Sequence, residues 1–167
     1  MFALTANADM ELYAQIAARL KPGFFQLTAN ETPEETAKVR DTFGIPVFKS
    51  LHLPEQGGQP DKSVETFLAL MKSYLDGGCD GFVLDTQVHG MFGGSGRQSD
   101  WRLAKEIISR TKAKTFIAGG ISPENAAQAA ALGAYGIDLA SGVETSPGIK
   151  SEEKMTALFT ALRKGEK

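Results

Sequence analysis

The stretch Lys114-Thr115-Phe116-Ile117-Ala118-Gly119-Gly120-Ile121-Ser122-Pro123-Glu124-Asn125, with the alanine-rich run that follows it to Leu132-Gly133, contains one complete structural unit. A short β-prone run, 114–118, ends in a glycine pair. Ser122 then stands as N-cap before Pro123 at the first helical position, and the helical pattern over 123–132 stops at Gly133. The reading is strand, turn, helix.

The unit recurs along the chain. Phe2 to Thr5 precedes the helical pattern Met10 to Leu20, and Gly23 to Leu27 precedes Pro33 to Phe43, where Thr32 caps and Pro33 opens the helix. Pro46 to Leu53 leads into Ser63 to Leu75. Gly81 to Leu84 leads, after a long glycine-rich loop, into Trp101 to Arg110, and Gly136 to Ala140 leads into Glu152 to Arg163. Nearly continuous apolar strands alternating with helices imply an α/β protein with a parallel sheet covered by helices. Six such units fit an open doubly wound sheet or part of a (β/α)8 barrel, and periodicity does not choose between them.

Composition narrows the class. The 167 residues, 42% hydrophobic and 23% charged, read as a single domain over 1–167, with no linker or low-complexity stretch dividing it. No apolar run reaches the ~20 residues that span a bilayer, and the N-terminal stretch lacks a signal-peptide pattern, so a cytoplasmic location is expected. Cys79 is the single cysteine; with two histidines it falls short of the usual structural zinc set, and neither metal nor cofactor is expected. With 18 basic against 20 acidic residues there is no basic footprint for nucleic acid.

The candidate chemistry lies where strands end. Asp85, in Leu84-Asp85-Thr86, is an ionisable residue at the C-terminal end of a buried parallel strand, where α/β proteins place ligands and catalysts. The plainer reading is a cap or a loop anchor. Gly119 and Gly120 after the fifth strand, and Ser141 and Gly142 after the sixth, let backbone N–H groups approach a ligand closely. Convergent donors of this kind favour a dianion such as phosphate, against the plainer reading of glycines that turn the chain.

Taken together, Leu84-Asp85-Thr86, Gly93-Gly94-Ser95-Gly96, Asp100-Trp101, Ala118-Gly119-Gly120-Ile121-Ser122-Pro123-Glu124-Asn125, Asp138-Leu139-Ala140-Ser141-Gly142-Val143-Glu144 and Ser146-Pro147-Gly148 resemble the C-terminal half of phosphoribosylanthranilate isomerase. Gln26-Leu27, Glu31-Thr32-Pro33-Glu34 and Ile45-Pro46-Val47 with Lys49 agree more loosely, and the resemblance covers essentially the whole chain. It implies a (β/α)8 barrel whose third to eighth units are present, an incomplete barrel lacking the amino-terminal two βα units. It also implies an Amadori rearrangement in tryptophan biosynthesis, an aldose-ketose isomerisation of N-(5-phosphoribosyl)anthranilate to the aminoketose. In that reaction a general acid opens the furanose ring and a general base takes a proton from C2. By resemblance Asp85 is the general acid, Asp138 lies near the anthranilate part, and Gly119, Gly120, Ser141 and Gly142 bind the phosphate.

The departures bear on the same chemistry. The family's base is a cysteine on its first strand, which is absent here, and Cys79 falls at the opposite end of the sheet, where a small buried hydrophobe is the natural reading. Thr28 stands where the family commonly has His. His52 is the alternative base, against a solvated loop histidine; His89 and Arg97 read as loop residues, and Phe67 with Met71 as a core stripe. The expected partner is a phosphorylated small molecule, with no nucleic acid and no membrane, and a homo-oligomer through exposed sheet edges. Unpaired edges and half-filled interior layers should leave the isolated chain poorly soluble, molten or oligomeric. The competing function is a non-catalytic phosphosugar-binding or assembly module that keeps the phosphate loops without the base.

Overall fold

The computed structural model describes residues 1–55, 63–86 and 99–165. The main sheet comprises β1 (Phe2–Thr5), β2 (Phe24–Leu27), β3 (Val47–Leu53), β4 (Gly81–Thr86), β5 (Thr115–Ile117) and β6 (Gly136–Ile137). The helices are α1 (Met10–Leu20), α2 (Pro33–Phe43), α3 (Val64–Asp76), α4 (Trp101–Arg110), α5 (Ala126–Ala130) and α6 (Glu152–Gly165). β7 (Glu144–Ser146) and β8 (Ile149–Lys150) form a small antiparallel hairpin that periodicity did not reveal.

All neighbours in the main sheet are parallel, and the strand order is β1-β2-β3-β4-β5-β6. A doubly wound sheet reverses its order at a switch point. This order never reverses, so the sheet is a half-barrel and the open doubly wound alternative falls. The pleat sends alternate residues to opposite faces. Phe25, Leu27, Val47, Leu51, Leu53, Phe82, Leu84 and Ile117 are buried in two clusters with Tyr13 and Val39 of α1 and α2 and with Phe67, Met71, Tyr74, Ala104, Ile107 and Leu158 of α3, α4 and α6.

The other face is filled by phenylalanines. Phe2 stacks on Phe24 with ring centroids 4.7 Å apart, meets Phe48 at 5.6 Å, and reaches Phe116 of β5 at 6.0 Å. A contact from the first strand to the fifth requires the sheet to roll inward. Glycine makes room for two of the rings: a Cβ on Gly81 would run into the Phe48 ring, and one on Gly136 would stand 2.6 Å from the Phe116 ring. The expected half-filled interior is therefore corrected at the N-terminal end, where the rings pack. Above them remains a cavity of about 260 Å³ lined by Phe2, Leu4, Gln26, Val83, Phe116, Ile137 and Asp138. Among the described residues β1 pairs only with β2 and β6 only with β5, and Leu4 on the first edge is 62% exposed.

Local sequence explains most helix starts. Thr32 Oγ1 accepts the Glu35 N–H at 3.2 Å while the Glu35 carboxylate accepts the Thr32 N–H at 2.7 Å, a reciprocal capping box. Asp100 caps α4 by accepting the N–H groups of Arg102 and Leu103 at 3.0 and 3.2 Å. Ser122 does not cap α5. Its hydroxyl bonds Glu124, its N–H goes to Asn125 Oδ1 at 2.8 Å, and the helix starts only at Ala126 because Asn125 is committed to this turn. β6 is likewise shorter than the apolar run 136–140 suggested.

Candidate active site

The C-terminal ends of the strands bring the candidates together. β4 extends through Thr86, so Asp85 lies inside the strand, on the face that carries Val83. Its partner in register on β3 is His52. Among the described residues Asp85 caps no helix; its Oδ1 accepts the N–H of Thr86 at 2.7 Å. Asp138 directly follows β6, with its N–H given to the Ile117 carbonyl at 2.8 Å and its side chain on the cavity wall. Burial raises the protonation range of both carboxyls above the ordinary one. The His52 charge acts against this at Asp85. At Asp138 the nearby Asp85 adds to it, while a hydrogen bond from Gln26 and the charge of Lys150 oppose it.

Polar partners fix the geometry around this pair. The Gln26 amide donates to Ser50 Oγ at 3.2 Å, and His52 Nε2 bonds the Thr28 carbonyl at 2.9 Å. On the helix-facing side of the sheet, Lys49 is held by the carbonyls of Leu27, Ala29 and Ser50 at 3.2, 2.7 and 3.1 Å. Glu31 lies 3.3 Å from Lys49 Nζ and also accepts the N–H groups of Asn7 and Ala29 at 2.7 and 3.0 Å. This buried clip ties the rims of β1, β2 and β3 together beneath the residue that holds His52.

The glycine loops converge on the same rim. Gly119 and Gly120 have φ of +87° and +64°, and Asn125 Nδ2 clamps the turn on the Gly120 carbonyl at 2.9 Å. Gly119 packs so closely on Thr86 that a Cβ would strike its hydroxyl, and a Cβ on Gly142 would strike the Ile121 carbonyl. Ser141, Gly142 and Val143 form a 3₁₀ turn. The four small residues read as a phosphate cradle thus belong to two loops in direct contact, one of them touching the end of the Asp85 strand.

Cys79 lies at the other end of β4. Its Sγ donates to the carbonyls of Val47 and Gly81 at 3.4 and 3.1 Å, and burial pushes its thiol up to about 11. A thiol in that state is a buried packing group, as the sequence suggested. Phe67 and Met71 are core residues, each 1% exposed. His89, Arg97 and Gly93-Gly94-Ser95-Gly96 lie outside the described residues. Among the described residues no three His, Cys, Asp or Glu side chains gather as a metal site, and no helix is long and apolar enough to cross a membrane. Sequence reading assigned no role to Asn125, Gln26 or Lys150. Asn125 carried a signal in its position after Ser-Pro-Glu in a strand-to-helix turn, and Gln26 in its place at a strand end within the resemblance.

The sequence profile of the N-(5'phosphoribosyl)anthranilate (PRA) isomerase family matches residues 2–161. The chain belongs to this family. The N-(5'-phosphoribosyl)anthranilate isomerase of Sinorhizobium fredii (strain NBRC 101917 / NGR234) is 34% identical over 168 aligned residues, covering 98% of this chain and 70% of the relative. That of Geobacillus thermodenitrificans (strain NG80-2) is 33% identical over 96% of this chain and 72% of its own length. Among solved structures, the phosphoribosyl anthranilate isomerase of Thermus thermophilus superposes with a TM-score of 0.75 at 31% identity, covering 98% of this chain and 72% of that one. A phosphoribosyl anthranilate isomerase in complex with reduced 1-(o-carboxyphenylamino)-1-deoxyribulose 5-phosphate shares the fold, with a TM-score of 0.71 at 21% identity, covering 98% of this chain and 71% of that one. The six-stranded half-barrel of the chain is thus a fold it has in common with the Thermus thermophilus isomerase.

Proposed function

We propose that the chain is a phosphoribosylanthranilate isomerase, converting N-(5'-phosphoribosyl)anthranilate to its 1-deoxyribulose 5-phosphate aminoketose in tryptophan biosynthesis. The observation that carries this reading is Asp85: a half-buried carboxyl, its protonation range raised by desolvation, at the rim where two glycine loops meet. Asp85 is the general acid that protonates the furanose oxygen. Gly119, Gly120, Ser141 and Gly142 hold the phosphate, which anchors the sugar so that its reacting carbons face the carboxyls. Asp138 contacts the substrate near the anthranilate amine.

The same reading assigns the six βα units to the third through eighth of the family barrel. The whole chain, 1–167, is then one domain of cytoplasmic location that lacks the first two units. Among the described residues no strand covers the outer edge of β1 or β6, which supports a homo-oligomer. A fluorescence assay following isomerisation of the anthranilate ribotide tests the activity, run on this chain and on a version extended upstream. Turnover by either chain that disappears in Asp85→Asn is the expected result. Phosphosugar binding with no turnover in either would overturn it in favour of a non-catalytic binding module.

A further inference from the structure

The outward face of α6 leaves large apolar side chains in the open. Met155 and Phe159 are 40% and 52% exposed, while Leu158 between them is 6% exposed and packs into the core. A single apolar residue on a surface is ordinary, but a contiguous patch marks an interaction site. Here the exposed positions are ordered. Glu152, Met155, Phe159 and Arg163 follow one another at intervals of three, four and four residues, which places them in one stripe along the helix, and all four are exposed. Leu162, at the edge of the stripe, also walls a groove of about 390 Å³ whose other side includes Ala127 and Ala130 of α5. These alanines keep the flank of the stripe low, so that a second helix can approach.

The stripe is complementary to itself. Its ends carry opposite charges and its middle is apolar. Laid antiparallel on a second copy, with a two-fold axis midway between Glu152 and Arg163, it sets Glu152 against Arg163 of the second copy and brings Met155 beside the second copy's Phe159. Opposite charges attract across such a contact, and a thioether against an aromatic ring is favourable. A parallel arrangement would set Glu152 against Glu152 and Arg163 against Arg163, which repels.

We propose that α6 is a dimerisation helix, pairing antiparallel with α6 of a second copy of this chain, with Met155 and Phe159 at the centre and a Glu152–Arg163 pair at each end. The proposal rests on the homo-oligomer suggested by the open sheet and names its surface as a helix face rather than a strand edge. The two contacts have different consequences. Adding β1 of one copy to β6 of the next is heterologous and leaves a free edge at each end, so it continues to further copies. The α6 contact is isologous and closes at two subunits. It also lies on the opposite side of the helix layer from the sheet interior, so dimerisation and the chemistry at Asp85 are separable.

Sedimentation equilibrium of the full chain tests the proposal, in wild type, Phe159→Ser, Glu152→Arg, Arg163→Glu and the double variant Glu152→Arg/Arg163→Glu. A reversible wild-type dimer is expected. Phe159→Ser should weaken it by about tenfold or more, since a central aromatic anchor carries much of the energy of an interface. Each charge reversal alone sets like charges opposite each other and should weaken the dimer, and the double variant should restore the wild-type affinity. Only a partner bearing the same stripe gives that restoration. Every substitution falls on an exposed side chain, and circular dichroism checks that the helix content is kept. A monomeric wild type overturns the proposal together with the homo-oligomer on which it rests. An oligomer indifferent to Phe159→Ser or to the single charge reversals, or one that the double variant fails to restore, overturns the α6 contact and leaves the strand edges as the interface.

Discussion

Lys49 Nζ stands 3.3 Å from Glu31 Oε2 although the two side chains are only 2% and 5% exposed. Removing one member of such a pair strands the other charge away from water. Lys49→Met is expected to cost about 3–5 kcal/mol in urea unfolding. The double variant Lys49→Met/Glu31→Gln should recover part of that loss. Equal stability of Lys49→Met and wild type would mean that the clip carries no weight.

Gly81→Ala places a methyl group against the Phe48 ring and 2.6 Å from the Lys114 carbonyl. Overpacking of this kind is expected to destabilise by about 1–3 kcal/mol. Trimming the ring should relieve it, so Gly81→Ala/Phe48→Leu should lose less than the sum of the two single changes. Additive losses would show that the ring is not the obstacle.

Thr32→Ala removes the hydroxyl that accepts the Glu35 N–H and opens half of the capping box. A loss of about 1 kcal/mol is expected. Thr32→Ser should keep most of it, and thermal unfolding of the three proteins measures the difference.

Asp85 and Asp138 give stability an unusual slope with pH. Both carboxyls are raised above their unfolded values, so the folded chain binds more protons in that window and stability falls as pH rises through it. The window opens at about 4, where an unfolded aspartate titrates, and extends up to the raised values. Glu65, Glu124 and Glu144 are lowered, so their contributions are lost on going below the ordinary carboxylate range, outside this window. In urea midpoints across pH 5 to 8, Asp85→Asn/Asp138→Asn should flatten the slope and be more stable than wild type at neutral pH. A steeper slope would contradict the burial argument.

Asp85→Asn alone should lower kcat by about a hundredfold to ten-thousandfold, the range for general acid catalysis, with affinity for a ribulose phosphate analogue within a few fold. Equal losses of rate and of affinity would make Asp85 a structural residue.

The alternating units were legible because each carries its own local signals. Thr32-Pro33 marks a helix start, Gly133 marks a stop, and apolar runs mark strands. What escaped depends on partners distant in sequence. Nothing near Lys49 in the sequence announces the carbonyls of Leu27 and Ala29 that surround it, and the interior contact between Phe2 and Phe116 follows from sheet curvature, which no local pattern encodes. Ser122 failed as a cap because its hydroxyl is taken by the Glu124 carboxylate and so accepts no helix N–H. At the site, Asp85 and the glycines were legible from their places at strand ends. The contrast between Gln26 with Lys150 on one carboxylate and His52 on the other needed the rolled sheet.

The unreversed strand order has a kinetic meaning. Among the described residues, the strands of the main sheet pair only with their neighbours in sequence order, so every pairing in that sheet closes a loop of one helix and its turns, and the entropy of each closure stays small. Assembly can therefore propagate from any unit to the next, as in a repeat array. The ring contact between Phe2 and Phe116, with the Gln26 hydrogen bond to Asp138, closes the row across four strands and ties it into one cooperative body. Weakening it should show first as a loss of cooperativity, a shallower unfolding transition, before any shift in midpoint.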